Sequence, residues 1–497
     1  MKSQITHTIT SLESLIDDAL QCKSDCACGR RHAVPTKLIR LDDAGGAGVA
    51  AAIRCATRET DPEMHPTGRP VLLVADSQTY AAHAGSIARE LARSYARPKT
   101  VVFATGPTGA APHAPITADI VPRRAAAAGP LVPDEWAIQQ VLDAFGVAPG
   151  SRSVVIAVGS GTITDICKVA ADKLDAAYIV CPTAASMNGY TSTIAALKRG
   201  GLKVTDSVTG VDAVVVDMEV IVNSPPDMTA AGVADLLSKF VCHADWTIAH
   251  LLDGGYYCTV PSELASRATE AVIEHLDAIA ARDRDGLTVL MQALLLSGLA
   301  MAMAGSSSPA SGGEHLISHY WDMICPHTGG RRYHGTQVGI GILISAALYE
   351  RLRRIDPRTI HPQRIAEQVE DWTVRERALR AHFGHAAEAV IEQARAKHLP
   401  PDRAAARAAQ IAAHWDEIWR KVDPILKTVR EVRDWLRRCG APTTASELGI
   451  SAGQALDAVR WARHLRNRFT VFDFAAQIGA WTPPDQGEVL QASGVLR

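Results

Sequence analysis

Three residues between positions 235 and 334 are of the types that hold a divalent metal ion: Asp235, His315 and His334. A carboxylate and two imidazoles supply three protein ligands and leave one coordination position open for substrate, which is the arrangement of a catalytic site. Each of these residues also has an alternative role that involves no metal. Asp235 could pair with Lys239 one helical turn later, and a single histidine is more often a core or surface residue than a ligand.

The histidines belong to two predicted helical stretches. His315 and His319 are four residues apart, so they share one face of a helix. His334 opens another helical stretch after the glycine-rich turn at Gly329 and Gly330. Together with Asp235, these stretches predict a metal site built from separate helices.

A second chemical pattern is the turn Gly159-Ser160-Gly161-Thr162, which follows the apolar run Val154 to Val158 and precedes a helical stretch that contains Asp165 and Lys168. Glycines permit a tight turn and a close approach, so that backbone N–H groups at a helix N-terminus can meet a pyrophosphate. Short turns of this kind also occur in loops that bind nothing. The turn alone therefore leaves phosphate binding and a plain loop as alternatives.

Two further positions could contact a nucleotide. Asp76 ends an earlier apolar run, where a carboxylate can accept hydrogen bonds from an adenosine ribose, and this placement favours NAD over NADP. Capping of the following turn is the alternative role for Asp76. The stretch from Pro182 to Tyr190 carries Thr183, Ser186 and Asn188, and its hydroxyl and amide groups indicate a loop that approaches a cofactor.

A cysteine-rich segment near the N-terminus belongs neither to the predicted metal site nor to the predicted nucleotide site. Cys22, Cys26, Cys28 and His32 could bind zinc, but a C-x-C pair is tighter than the usual C-x2-C knuckle and no second pair follows. A loop of reduced thiols is the alternative, because sparse and irregular cysteines in a reducing compartment do not form a disulfide framework.

These residues must be positioned by two kinds of architecture. The first half alternates short apolar runs with amphipathic stretches, which predicts a doubly wound parallel sheet. The predicted strands are Pro70 to Asp76, Thr100 to Thr105, Ser153 to Val158, Ala177 to Cys181 and Ala213 to Asp217, with helices such as Ala81 to Ala96 and Asp134 to Phe145 between them. From Met228 onward the pattern is helical.

The 497 residues are too many for one ordinary core, and we place a boundary at the prolines near residue 225. The prediction is an α/β nucleotide-binding domain over residues 1–225 and an all-helical domain over 226–497, with the active site in the cleft between them. The net charge of -2 disfavours nucleic acid and anionic membranes as partners. We expect a cytoplasmic protein without a membrane span, which binds a small molecule.

The order of the motifs resembles that of glycerol-1-phosphate dehydrogenases. The shared series consists of GSGT at Gly159, PTA-x-S at Pro182, AG-x-x-D-LL-x-K at Ala231, EH-x-x-SH at Glu314 and HG-x-x-VGIG at His334. It extends to Cys26-x-Cys28-Gly29-x-x-His32, to Tyr256-Tyr257-Cys258 and to the stretch from Ala462 to Asp473. The family is similar in fold to iron-type alcohol dehydrogenases, glycerol dehydrogenase and dehydroquinate synthase.

The resemblance implies a dehydroquinate synthase-like fold and reduction of dihydroxyacetone phosphate to sn-glycerol 1-phosphate by NADH or NADPH. It implies that Asp235, His315 and His334 bind zinc, with nickel or iron as alternatives, and that His319 handles a proton or orients a ligand. For the cofactor it implies contacts from Asp76, Gly159, Ser160, Gly161, Thr162, Asp165, Thr183 and Ser186. The substrate phosphate would meet loop cations among Lys198, Lys203, Arg331 and Arg332. A homo-oligomer is expected for this fold.

One departure from the resemblance concerns Asn188, because relatives usually carry Asp at this position near the substrate and nicotinamide. An amide cannot take up a proton at neutral pH. A different substrate, a slower enzyme or a proton path through His319 would follow. Alternatives are therefore a related dehydrogenase, a dehydroquinate synthase-like enzyme, or a binding protein with weak catalysis. Ala234, where glycine is common, is a milder departure.

Overall fold

Two compact units make up the chain in the computed structural model, which describes residues 2–23, 25–42, 45–57, 70–95, 97–105, 118–122, 131–146, 153–200, 202–325 and 332–496. Unit 1 consists of Met1–Arg199, Val204–Gly232 and Glu270–Ser306, and unit 2 of Gly200–Lys203, Val233–Thr269 and Ser307–Arg497. Glu270–Ser306 therefore packs with the N-terminal unit, although it follows the boundary predicted near residue 225. The predicted domain division itself stays a prediction.

Unit 1 is built on a six-stranded parallel sheet in the order β1-β8-β5-β4-β2-β3. Its strands are β1 (Leu38–Leu41), β2 (Val71–Asp76), β3 (Lys99–Phe103), β4 (Val154–Gly159), β5 (Ala177–Pro182) and β8 (Ala213–Val216). The strands β4 and β8 are buried along their whole length, as expected for valine-rich strands that helices cover on both faces. The predicted doubly wound α/β fold is confirmed, and β1 is a strand that the sequence analysis missed.

The helices of the first half alternate with these strands. They are α1 (Lys2–Gln21), α2 (Gly46–Thr57), α3 (Ser77–Thr79), α4 (Gly85–Ser94), α5 (Glu135–Phe145), α6 (Gly161–Leu174) and α7 (Met218–Val222). The helix predicted over Ala81 to Ala96 is divided, because a π-helical turn over Tyr80–Ala84 precedes α4. Ala96 lies outside the described residues.

A two-stranded sheet of β6 (Ile194–Arg199) and β7 (Leu202–Ser207) follows β5. Lys198 and Lys203 were predicted to lie in loops, and this prediction was wrong. Lys198 lies on β6 and Lys203 lies on β7. The error arose because these strands carry charged residues, so they lack the apolar run that marks the central strands.

From Pro226 onward every regular element among the described residues is helical, which confirms the all-α C-terminal part. The α-helices are α8 (Pro226–Leu237), α9 (Lys239–Asp253), α10 (Thr259–Glu274), α11 (Leu276–Ala280), α12 (Arg284–Ala304), α13 (Gly313–Ile324), α14 (His334–Leu352), α15 (Pro362–Glu367), α16 (Trp372–Phe383), α17 (Ala387–Ala396), α18 (Pro401–Ala413), α19 (Trp415–Val422), α20 (Val429–Arg438), α21 (Ala452–Trp461), α22 (Val471–Gln477) and α23 (Pro483–Ser493). Short 3-10 turns over Pro357–Thr359, Gly384–Ala386, Ser446–Leu448 and Ala462–His464 join some of them.

The helix α12 is long and largely apolar. By length and composition it could cross a membrane, but 94% of its apolar window is buried inside the protein. Within unit 1 it packs against α1, α7 and α11. The burial identifies α12 as a core helix of unit 1.

A buried lysine fixes the loop that follows β5. The ammonium group of Lys168, on α6, donates to the carbonyl oxygens of Gly189 at 2.8 Å and Ile194 at 2.9 Å, and to the hydroxyl of Ser192 at 3.2 Å. Burial lowers the pKa of Lys168 to about 8, although the nearby carboxylate of Asp165 opposes this shift. Lys168 thus connects the helix after Gly159 to the end of the loop that carries Asn188.

We expect Lys168→Met to lower the free energy of unfolding by about 1–3 kcal/mol, because two buried carbonyl groups lose a charged donor. The measurement is urea denaturation followed by tryptophan fluorescence. Lys173→Met on the same helix, where the side chain is exposed, is the matched control. Equal stability of the two variants would contradict this role for Lys168.

Candidate metal centre and cofactor site

The three predicted metal ligands come together within unit 2. One ligand atom from each of Asp235, His315 and His334 lies within 4.8 Å of the other two. The Nε2 atom of His315 is 3.5 Å from Oδ1 of Asp235, and the rings of His315 and His334 are 5.2 Å apart. Asp235 and His315 are buried and His334 is partly buried. A carboxylate and two imidazoles converging away from water are suited to bind a divalent cation.

Close packing of α13 and α14 places the two histidines side by side. A Cβ atom at Gly341 would lie 2.3 Å from the carbonyl oxygen of Glu314, so only glycine permits this approach of the two backbones. Glu314 precedes His315 on α13, and Gly341 lies two turns after His334 on α14. The glycines of the HG-x-x-VGIG motif therefore have a packing role beside the ligand histidine.

Glu314 orients the imidazole of His315. Its Oε1 atom lies 2.7 Å from Nδ1 of His315 and also accepts from the N–H of Gly312 at 2.7 Å. A carboxylate can only accept at this contact, so Nδ1 of His315 carries a proton and Nε2 is the ring nitrogen that faces Asp235. Ligand histidines in metalloproteins are commonly oriented by such a carboxylate. Glu314 was not among the predicted site residues, although it directly precedes His315 in the sequence.

Asp245 fixes the start of the helix that carries His315. Its carboxylate accepts from the N–H of Gly313 at 2.7 Å, from the N–H of Val471 at 2.9 Å and from the hydroxyl of Tyr349. Gly313 is the first residue of α13. A carboxylate at a helix N-terminus satisfies backbone donors that the helix leaves unpaired, so Asp245 holds α13 in place from α9.

A chain of side-chain hydrogen bonds orients His334 in a similar way. The hydroxyl of Ser318 donates to Oε1 of Gln337 at 3.2 Å and lies 3.0 Å from Nδ1 of His334. The amide of Gln337 in turn donates to Asp322 at 3.0 Å. The ammonium group of Lys203 is a second neighbour of Nδ1, at 3.4 Å. This leaves Nε2 of His334 available as a ligand atom.

The protonation of the trio follows from burial and neighbouring charge. Burial opposes ionisation of Asp235, but hydrogen bonding to His315 and the charge of Lys239 keep its pKa well below the usual range. Burial, followed by the positive charge of Lys203, lowers the pKa of His334 to about 3. Burial opposes a charge on His315 as well, but hydrogen bonding to Asp235 and Glu314 raises its pKa. At neutral pH the site therefore offers an ionised carboxylate and a neutral imidazole at His334, whereas His315 must lose the proton on Nε2 to bind a metal.

His319 lies beside the trio. Its ring stacks on that of His334 at 5.8 Å and is 6.1 Å from that of His315. Within the described part of the chain its Nδ1 atom is buried and has no hydrogen-bond partner. Burial, with the charges of Lys203 and Arg466, holds the pKa of His319 well below the usual value. His319 is thus a neutral imidazole next to two cations.

The predicted cofactor residues cluster in unit 1. The N–H of Thr183 donates to the carbonyl of Gly159 at 3.2 Å, which joins the loop after β5 to the turn after β4. Ser160 is the N-cap of α6, and its hydroxyl makes no capping bond in the described structure. Gly161 and Thr162 form the first turn of α6, whose N–H groups can bind an anion. The assignment of this turn to a pyrophosphate stays a prediction.

The other predicted contacts have varied environments. Asp76 caps α3, because its Oδ1 atom accepts from the N–H groups of Gln78 at 2.9 Å and Thr79 at 2.8 Å. Its role at a ribose stays a prediction. Ser186 is buried, with its hydroxyl 3.5 Å from that of Tyr190, and Asn188 is buried on the same loop.

The predicted phosphate-binding cations do not form one group. Lys203 lies at the metal site, where its ammonium group donates to Asp322 at 2.6 Å and is 3.4 Å from Nδ1 of His334. Lys198 is exposed on β6. Arg332 is buried and donates to the carbonyl groups of Trp321 and Cys325, which indicates a structural role. Arg331 lies outside the described residues.

We expect Glu314→Gln to weaken metal binding by about 10- to 100-fold, because the oriented and more basic imidazole of His315 depends on this carboxylate. Titration calorimetry of the metal-free protein with zinc measures the effect. Glu263→Gln, an exposed glutamate of α10, is the control that should bind as the wild type does. Unchanged affinity of Glu314→Gln would show that the carboxylate does not support the site.

Comparison with known proteins agrees with these features. The family model of iron-containing alcohol dehydrogenases matches residues 118–225. A probable glycerol dehydrogenase of Sinorhizobium meliloti superposes with a TM-score of 0.54 at 16% identity, covering 92% of this chain and 97% of that one. A sulfoacetaldehyde reductase of Bifidobacterium kashiwanohense, solved with NAD+, gives a TM-score of 0.51 at 17% identity, covering 90% and 97% of the two chains. These similarities show a shared fold.

Proteins that are similar in sequence identify the family as well as the fold. The glycerol-1-phosphate dehydrogenase [NAD(P)+] of Halalkalibacterium halodurans is 31% identical over 341 residues, which cover 68% of this chain and 77% of the relative. The protein of the same name from Bacillus licheniformis is 31% identical over 366 residues, covering 73% and 77%. This chain therefore belongs to the glycerol-1-phosphate dehydrogenase family.

Proposed function

We propose that this protein reduces dihydroxyacetone phosphate to sn-glycerol 1-phosphate with NADH or NADPH, and catalyses the reverse reaction. The observation that carries the proposal is the convergence of Asp235, His315 and His334 within 4.8 Å. These ligand types lie in a chain whose relatives are named glycerol-1-phosphate dehydrogenase [NAD(P)+]. The NAD(P) cofactor is assigned to the turn from Gly159 to Thr162 and to Asp76, Asp165, Thr183 and Ser186.

The metal ligands define what the site can do. A divalent ion held there supplies a Lewis acid that stabilises the negative charge developing on the ketone oxygen during hydride transfer. One carboxylate and two imidazoles suit zinc, which we propose, with nickel and iron as alternatives. Asp235, His315 and His334 would hold the ion, and the contacts of Glu314 with His315 and of Ser318 with His334 would orient the two imidazoles as ligands.

His319 is the residue that we assign to the proton. Reduction of the ketone requires one proton at the product oxygen, and Asn188 cannot supply it because its side chain is an amide. The ring of His319 lies next to both ligand histidines, and its buried Nδ1 atom has no partner among the described residues. A neutral imidazole can pass a proton from one ring nitrogen while the other regains one from water.

Two cations beside His319 explain a preference for a phosphorylated substrate. The ammonium group of Lys203 is 3.4 Å from Nδ1 of His334, and the ring of His334 stacks on that of His319. Burial, with the positive charges of Lys203 and Arg466, lowers the pKa of His319. The guanidinium of Arg466 also donates to the carbonyl of Lys203 at 3.4 Å. Burial, followed by the charge of Arg468, lowers the pKa of Arg466 to about 10, and the group is still a cation at neutral pH. We assign Lys203 and Arg466 to the substrate phosphate.

The test of this function is oxidation of NADH and NADPH by metal-reconstituted protein supplied with dihydroxyacetone phosphate. We expect metal-dependent turnover, and a loss of kcat/KM on the order of a thousandfold in His315→Ala, because a Lewis acid contributes several kcal/mol to transition-state stability. His385→Ala, an exposed histidine, should retain full activity. Absence of turnover in protein that binds NAD(P) and metal would refute the proposed substrate.

The role of the cations is tested separately with Arg466→Gln. We expect its KM for dihydroxyacetone phosphate to rise about 10- to 100-fold, since a hydrogen bond to a charged group contributes about 1.5–3 kcal/mol. Its activity on unphosphorylated dihydroxyacetone should be unchanged. Arg403→Gln, on the exposed side of α18, is the control. If both substrates lose activity equally, Arg466 supports the structure of the site rather than binding phosphate.

A further inference from the structure

The loop after α1 brings two thiols and an imidazole together in unit 1, away from the centre described above. The ligand atoms of Cys26, Cys28 and His32 lie within 4.8 Å of one another, and Sγ of Cys28 is 3.4 Å from Nε2 of His32. Cys22, which the sequence analysis grouped with them, does not belong to the cluster found among the described residues.

The backbone forms a tight turn around the two thiols. The N–H of Gly29 donates to the carbonyl oxygen of Cys26 at 2.9 Å, and the N–H of Cys26 donates to the carbonyl oxygen of Arg30 at 3.0 Å. Gly29 has a φ of 80°, a left-handed conformation that favours glycine. The flanking residues Asp25 and Arg31 form an antiparallel bridge. The C-x-C-G sequence thus folds as a closed turn that presents both thiols together, which compensates for the missing second spacer residue.

A contact with a backbone carbonyl orients the imidazole of His32 as a ligand. The side chain is 1% exposed, and its Nδ1 atom lies 3.0 Å from the carbonyl oxygen of Met303, near the C-terminal end of α12. A carbonyl can only accept, so Nδ1 carries the proton and Nε2 directs its lone pair at the thiols. Ligand histidines in zinc proteins commonly make this contact with a backbone carbonyl.

We propose that Cys26, Cys28 and His32 bind a zinc ion, as a second metal site separate from the Asp235 centre. Thiolate and imidazole are the ligands that zinc prefers. Bond lengths of about 2.3 Å to sulfur and 2.0–2.1 Å to nitrogen put ligands of a tetrahedral ion about 3.6 Å apart, close to the 3.4 Å between Cys28 and His32. Three ligands lie on this loop, and the fourth position is for water or a further protein group.

The proposed role of this ion is structural. Arg30 donates to the carbonyl of Ala304 at 3.1 Å, and His32 contacts that of Met303, so the loop covers the last turn of α12. The carbonyl groups at a helix C-terminus carry partial negative charge, which favours cations nearby. A zinc ion would hold the loop in the conformation that makes both contacts. The proposal does not depend on the proposed function.

The decisive measurement is zinc X-ray absorption on the full-length wild-type protein reconstituted with zinc. The Asp235 centre contains no sulfur, so scattering from sulfur at about 2.3 Å can arise only from a thiolate site. We expect such scattering, with about two zinc ions bound per chain. A shell of nitrogen and oxygen alone would refute the proposal and would leave the thiols reduced or joined as a disulfide.

Variants assign the sulfur to this loop. The Cys26→Ser, Cys28→Ser double variant should lose the sulfur scattering and about one zinc ion per chain, and should unfold at a lower temperature. A Cys55→Ser, Cys439→Ser double variant, which removes two half-buried thiols elsewhere, should retain both ions. His32→Cys should keep the zinc because thiolate replaces imidazole, whereas His32→Ala should not. Sulfur scattering that survives the Cys26, Cys28 double variant would contradict the assignment.

Discussion

A carboxylate that is 1% exposed, as that of Asp235 is, has lost nearly all of its hydration, and an ion in such a place needs positive charge close by. The neighbouring residues supply this positive charge. The imidazole of His315 lies at ion-pair distance, and Lys239 contributes charge from the next turn of the chain. The second carboxylate, Glu314, is also fully buried and points at the far side of His315. Two carboxylates around one imidazole provide the excess of negative charge that a divalent ion would balance.

Rigidity of the centre comes from backbone contacts more than from the ligands themselves. Asp245 holds the first residue of α13 through a backbone N–H, and Gly341 lets α14 approach the carbonyl of Glu314. In unit 1, Lys168 has a comparable role for the loop that carries Asn188. In each case a buried charged group or a glycine sets the position of a segment, and the chemically active side chain is attached to that segment. Such support keeps ligand atoms in place with little loss of entropy on binding.

The sequence predicted the parts of this protein that depend on local pattern. The valine-rich strands and the Gly159 turn follow from residue type and spacing. Residue type made Asp235, His315 and His334 candidates for a metal site, and the choice of these three rested on the family resemblance. The contacts of Lys203 did not, because it is 119 residues from Asp322 and 131 from His334, and periodicity carries no information on such pairs. Glu314 was missed for another reason: its carboxylate looks like an ordinary first-turn residue until the direction of its side chain is known. The strands β6 and β7 carry charged residues and lack the apolar run that marks a buried strand.

The packing of α1 against α12 has a consequence for the synthesis of the chain. More than 260 residues separate Gln21, where α1 ends, from Arg284, where α12 begins. At about 5–20 residues per second, a ribosome needs about 13–50 seconds to make that stretch. During this interval α1 has emerged without the partner that covers its apolar face, and α12 then emerges as a segment of membrane-like hydropathy. The order of the elements therefore leaves the apolar face of α1 without its native cover until α12 has been synthesised.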